Sequence, residues 1–280
     1  MVYLLQIVAE NPIRLILFTY SFAISSLVAI LERVLLPHYP VYQPLRIRLA
    51  RAYFSAAATH IPRLVHRLPV TNCPPERALK QAGDDWEGYL IPALSGEATH
   101  PAQRESFLKA YQHVLRQGVP PSQVIFMGDS AGAAMAIMAA LELPSRGLPS
   151  PSGSILISPW MDASLQSYEG GNPTMATDYV NTANTSVPMM FRQFLGDTDG
   201  KDPDANPLYQ SPGTIHKAFL STPQLILTGG AEMAKEDGRR WAGLCRQANV
   251  PYQLVLEWAQ MHIYALGSRL DWEVFMRFGR

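Results

Sequence analysis

The sequence of 280 residues predicts an α/β fold, a doubly wound and mostly parallel sheet preceded by an N-terminal helical segment. Three observations predict it. Short, evenly apolar runs recur from residue 80 onward, each bounded by turn residues. Helix-compatible stretches separate them. A serine flanked by glycines stands between one such run and the helix that follows.

Taken in order, GYLIPAL (88–94) reads as a strand, QVIFM (123–127) as a second and GSILIS (153–158) as a third. An Ala/Met-rich helix is predicted over 131–143, between the second and the third. PQLILTG (223–229) and PYQLVLEW (251–258) supply two more strands, separated by a helical stretch near 236–248. Residues 159–222 are rich in Pro, Gly, Asn, Asp and Thr, and read as an excursion over the top of the sheet. No internal repeat interrupts this order.

The first 75 residues differ, and the chain divides into an N-terminal hydrophobic and basic helical region (1–75) and a catalytic domain (76–280). Residues 15–31 carry no charge. As a helix they span roughly 25 Å, slightly less than a bilayer core of about 30 Å. No acidic residue lies between Glu32 and Glu76, whereas Arg33, Arg46, Arg48, Arg51, Arg63 and Arg67 do. If 15–31 crosses a membrane as a single pass, that arginine excess leaves the catalytic domain on the cytoplasmic side. The alternatives are a hairpin packed on the catalytic domain and a cytoplasmic protein.

Composition narrows the function. Lys and Arg number 23 against 23 Asp and Glu, so no long-range field favours nucleic acid. Only Cys73 and Cys245 are present, which excludes a disulfide framework and the usual cysteine-based metal sites. At 48% hydrophobic residues the chain can bury a large core. An enzyme, or a descendant of one, remains.

The sharpest feature is Gly128-Asp129-Ser130-Ala131-Gly132, directly after QVIFM and directly before a helix. Strand, tight turn and helix are the context a G-x-S-x-G nucleophile elbow requires. The turn is expected to exclude side chains at Gly128 and Gly132 and to hold Ser130 strained and exposed. The N–H of Ala131, at the helix start, is an oxyanion donor.

A serine nucleophile needs a base and an orienting acid, and in this context the chain order is Ser, acid, His. Of the seven histidines only His216 and His262 follow Ser130. His262 lies just past the last predicted strand, where the base belongs; His216 sits in the polar excursion and reads as an exposed loop residue. Glu232 ends the turn after PQLILTG, at the sheet edge where ligands bind. Glu236 and Asp237 are alternatives inside the next helix.

These residues resemble the hormone-sensitive-lipase-like branch of the α/β-hydrolases, in particular fungal esterase-lipase proteins. The similar stretches are GDSAG (128–132), ISPW with Asp162 (157–162), NPLYQSP (206–212), GGAE (229–232) and Met261-His262. The resemblance implies Ser130 as nucleophile, Glu232 as acid and His262 as base, acting on a small ester or lactone. It implies no cofactor and no metal, since such a triad works without either, and fungal relatives by analogy act in secondary metabolism or xenobiotic ester cleavage. Asp129, Trp160, Met189 and Met190 are candidate substrate-contacting residues; Met175, Met189, Met190, Phe191 and Phe194 fit the lining of an apolar acyl pocket and, equally, a helix packed on the core. Asn184-Thr185-Ser186 is a glycosylation sequon.

One element of the resemblance is missing. The family carries an HGGG-type oxyanion loop upstream of the elbow, and no His-Gly-Gly occurs in this chain. GYLIPAL runs almost at once into GEATHP (96–101), similar to a stretch the family places well after that loop. By resemblance, two central strands and the loop are absent between about residues 92 and 96. Strand 88–94 is then expected either to pair directly with 123–127 or to leave buried edges unpaired, and Ala131 is left as the evident oxyanion donor. One donor is worth about 2.7–4 kcal/mol, so lacking two is expected to lower kcat by roughly 10⁴ or more. Two further readings therefore stay open: a ligand-binding relative without turnover, and a shortened product of an active esterase.

Overall fold

The computed structural model describes residues 12–35, 43–61, 79–83, 86–90, 99–166, 174, 177–180 and 186–267. Its centre is a four-stranded parallel sheet of β3 (Ile125–Asp129), β4 (Gly153–Ile157), β5 (Gln224–Gly229) and β6 (Tyr252–Glu257), in that spatial order. Phe126 pairs in register with Ser154, Leu156 with Ile226, and Ile226 with Leu254. β4 and β5 are buried along their whole length, while β3 and β6 are partly exposed. That is why the two inner strands read as unbroken apolar runs.

Helix α4 (Ala131–Glu142) connects β3 to β4, and α7 (Lys235–Gln247) connects β5 to β6. Ala, Met and Leu in α4 are strong helix formers, and Pro144 stops it one residue past Leu143. In α7, Glu236 and Asp237 occupy the first turn and Arg246 the last, complementing the helix dipole at both ends. Helices α3 (His100–Arg116) and α6 (Pro212–Phe219) pack beside them. Phe126, Leu156 and Ile226 of the sheet meet Leu108, Ile137, Phe219 and Trp241 of these helices in the main core. On the opposite face Ile155, Ile157, Leu225 and Leu227 pack against Tyr264 and Ala265.

Two expectations change. The predicted strand 88–94 is β2 (Trp86–Leu90), and it pairs antiparallel with β1 (Leu79–Gly83) in a separate hairpin. Only two residues separate these strands, a spacing that favours a local antiparallel partner over a distant parallel one. Among the described residues, β3 pairs with β4 alone. His216 lies not in a loop but in α6, whose start is fixed by Ser211 accepting the N–H of Thr214 at 3.2 Å and by Pro212 at the first position. Its Nδ1 sits 2.7 Å from the carbonyl of Ala248.

The described residues of the N-terminal region include two helices, α1 (Pro12–Leu35) and α2 (Leu45–His60). They pack together through Phe18, Phe22 and Tyr53, whose rings meet edge to face, and through the ion pair of Glu32 with Arg48. α2 in turn packs on residues that follow β4 and β6, where Ile47 meets Tyr179 and Met261.

Candidate active site

Ser130 occupies the bend between β3 and α4 with φ 52° and ψ −123°, a backbone conformation that costs an L-residue of order 1–3 kcal/mol. The elbow is held from outside: the N–H of Ser130 donates to Ile157 O at 2.9 Å, and that of Trp160 donates to Ser130 O at 3.2 Å. The two flanking glycines are not equivalent. A Cβ on Gly128 would lie 2.3 Å from the carbonyl oxygen of Gly132, whereas one on Gly132 would meet nothing within 4 Å. Gly128 alone is required by close approach, which corrects the expectation for Gly132.

His262 lies in the turn after β6, its Nε2 2.8 Å from Ser130 Oγ. Its Nδ1 faces Glu232 Oε2 at 3.7 Å, an ion-pair contact longer than a hydrogen bond. Such catalytic contacts often tighten only when substrate is bound. With the imidazole proton on Nδ1, toward the carboxylate, the Ser130 hydroxyl donates to Nε2. Glu232 and His262 are 0% and 3% exposed, so their charges act in a poorly screened interior.

Burial works against a charged imidazole, but the Glu232 carboxylate, with Asp178 and Asp129, outweighs it and holds His262 above its ordinary value. Burial raises Glu232, opposed by His262 and by the Ser158 hydroxyl.

Of the alternatives for the acid, Asp237 is buried and otherwise engaged: its Oδ2 accepts the N–H groups of Met161 at 2.9 Å and Asp162 at 2.8 Å. Glu236 stands on the surface beside Lys235 and Arg239. Asp162 Oδ1 accepts from Asn206 Nδ2 at 3.2 Å. The stretches around 157–162 and 206–212 therefore brace each other beneath the site.

The other candidates divide. Trp160 is buried, its ring 6.4 Å from the His262 ring and 4.8 Å from Phe191, and it packs with Met233 and Ala234. Asp129 and Ala131 are exposed beside the nucleophile. Met190 is 49% exposed on α5 (Ser186–Leu195), and Phe194 of that helix lies against Phe191 and His100. Met175, Asn184, Thr185 and the side chain of Met189 lie outside the described residues. Among the described residues, no group of three or more His, Cys, Asp or Glu stands together as a metal site.

Several supporting residues escape a reading of the sequence. Ser158, with φ 44°, donates its hydroxyl to Glu232 Oε2 at 2.6 Å and accepts the N–H of Ile263 at 2.8 Å. A polar residue at the C-terminal end of β4, on the sheet edge shared with Ser130 and Glu232, was the available signal. Gln43 Nε2 donates to Thr177 O at 2.7 Å and Ala259 O at 3.2 Å, joining the N-terminal region to the segment that leads from β6 to His262.

Comparison with known proteins agrees with this fold. A family model described as alpha/beta hydrolase fold matches residues 93–266. An acetyl-hydrolase of Streptomyces hygroscopicus is 30% identical over 194 residues, covering 67% of this chain and 62% of its own length. An esterase of Acinetobacter venetianus is 28% identical over 157 residues, covering 56% and 50%. The chain thus spans less than two thirds of these relatives. Among solved structures, an esterase from the bacterial hormone-sensitive lipase family superposes with a TM-score of 0.56 at 27% identity, over 65% of this chain and 60% of that one. An esterase/lipase from an uncultured bacterium gives 0.55 at 25% identity, over the same shares of the two chains.

Proposed function

The chain belongs to the α/β-hydrolase fold family, and from that premise we propose that it hydrolyses the carboxylic ester of a small molecule through Ser130, His262 and Glu232. The observation that carries this reading is the 2.8 Å approach of Ser130 Oγ to His262 Nε2 at a strained bend. The acetyl-hydrolase and esterase relatives support the same substrate class.

In the first half-reaction, Ser130 Oγ attacks the ester carbonyl carbon while its proton passes to His262 Nε2. Glu232 stabilises the imidazolium. The N–H of Ala131, at the positive end of α4, receives the developing oxyanion. His262 then protonates the departing alkoxide, leaving an acyl ester on Ser130. In the second half, water attacks that ester, gives its proton to His262 and releases the acid as Ser130 recovers its own. Trp160 and Phe191 form an apolar wall beside the triad, suited to an acyl chain or a lactone ring.

Turnover of a short-chain aryl ester tests this. Wild type should hydrolyse it, and both Ser130→Ala and His262→Ala should abolish the hydrolysis. Ester-dependent thermal stabilisation without turnover would favour a ligand-binding relative instead, a reading motivated by the absence of a His-Gly-Gly triplet.

We also propose that α1 attaches the protein to a membrane surface. Among its described residues only Ala29 is buried, and Ile16, Leu17, Tyr20, Ile24, Leu27, Val28 and Leu31 are exposed. Its 24 residues reach about 36 Å, enough to cross a bilayer core of about 30 Å. Yet α2 runs beside it, and crossing would carry Arg46, Arg48 and Arg51 into hydrocarbon at about 2.5–3.5 kcal/mol each. Lying in the interface, with exposed Arg14, Arg33 and Arg46 toward anionic headgroups, avoids that cost. Full-length protein should float with vesicles containing phosphatidylserine. Leu17→Ser, Ile24→Ser and Leu27→Ser together should keep it in solution; equal flotation would overturn the proposal.

A further inference from the structure

We propose that Asp178 is a positioning residue of the triad, a buried carboxylate that splints the turn carrying Glu232 to the turn carrying His262. This rests on the reading of Ser130, His262 and Glu232 given above, and adds a residue to it.

The geometry is a bracket. Asp178 Oδ2 accepts the N–H of Met233, the residue after the acid, at 2.7 Å. Its Oδ1 accepts the N–H of His262, the base itself, at 3.1 Å, and that of Tyr179 at 2.8 Å. One carboxylate thereby joins backbone from two turns that lie 55 and 84 residues away in sequence. Its oxygens accept backbone N–H groups, whereas His262 Nδ1 faces Glu232 Oε2 at 3.7 Å.

Neighbouring residues reinforce the splint. Thr177 Oγ1 donates to Ala231 O at 2.9 Å, a second tie to the acid-bearing turn. The Tyr179 ring lies 6.1 Å from that of His262 and 5.3 Å from that of Phe54 on α2. The segment is backed further by Gln43, which precedes α2 and donates to Thr177 O, and by Ile47 of α2, which packs on Tyr179.

A carboxylate suits this place better than an amide. Asp178 is 2% exposed and receives N–H donors on both oxygens, and hydrogen bonds to a charged acceptor are roughly twice as strong as neutral ones. An amide would turn an NH2 group toward one of those N–H donors and open one arm of the bracket. Charge matters as well. When His262 takes the proton of Ser130, the groups acting on the new cation are Glu232, Asp178 and Asp129. Facing Asp178 are His262, Glu232, Tyr179 and Arg51 of α2.

The test compares full-length wild type with Asp178→Asn by histidine-selective NMR titration, and by the rate at which a fluorophosphonate labels Ser130. In folded Asp178→Asn the His262 midpoint should fall below its wild-type value. Labelling should slow by about 10–100-fold, the effect of a misplacement of about 1 Å, with KM for a short ester within about threefold. An unchanged midpoint together with labelling within twofold of wild type would overturn the proposal. Wild type that never labels at Ser130 would overturn the triad reading instead, and the His262 titration would still decide the role of Asp178. Should Asp178→Asn not fold, amide exchange in wild type decides: protection of the Met233 and His262 amides beyond hours supports the bracket, and exchange within minutes overturns it.

Discussion

The Ser158 hydroxyl donates a hydrogen bond of 2.6 Å to Glu232 Oε2, joining the end of β4 to the acid-bearing turn across 74 residues. Ser158 Oγ also accepts the N–H of Ile263, the residue after His262. Ser158→Ala should therefore leave the fold intact and lower kcat about tenfold, equivalent to ~1.4 kcal/mol of transition-state stabilisation. Steady-state kinetics with a short ester checks this, and KM should move little.

The acid and its sequence neighbour have separable roles. Glu232→Gln removes the charge that stabilises the imidazolium, so kcat should fall steeply while stability holds. Asp237→Ala removes the acceptor for two buried N–H groups, and each orphaned donor costs about 1–3 kcal/mol. Urea denaturation should show Asp237→Ala destabilised by roughly 2–6 kcal/mol, with the Glu232→Gln midpoint near wild type.

The pH profile follows from His262, which must be neutral to accept the proton. Its carboxylate neighbours hold it above its ordinary value, so the acid limb of kcat/KM should lie above pH ~6.5, the usual histidine midpoint. Activity rises as pH passes upward through that limb. Glu232→Gln takes away the strongest opposing influence to burial, and its limb should move to lower pH.

The glycines of the elbow should part company. Gly128→Ala forces a Cβ to within 2.3 Å of backbone, an overpacking worth about 1–3 kcal/mol of stability. Gly132→Ala enters open space inside a helix, where alanine is favoured over glycine by about 1 kcal/mol. Thermal melts should show the first destabilised and the second unchanged or slightly more stable.

What the sequence revealed, and what it concealed, follows from range. Ser130, Glu232 and His262 were legible because each follows a strand and each strand has a local apolar signature. β4 and β5, buried on both faces, advertised themselves most clearly. Ser158 and Asp178 were illegible because their roles depend on a positive φ at Ser158 and on turns that lie 55 and 84 residues from Asp178, neither of which leaves a periodic trace. GYLIPAL looked like one more parallel strand because apolar content does not encode a partner; Leu79–Gly83 decides the pairing of β2. The two elbow glycines looked alike because the motif says nothing of which backbone atom each one faces.

The most direct measurement is the mass-mapped adduct of a fluorophosphonate on folded full-length protein. The account predicts a single adduct on Ser130, lost in Ser130→Ala and slowed at least a thousandfold in His262→Ala. Folded protein that takes up no label, or that labels equally after Ser130→Ala, would contradict it.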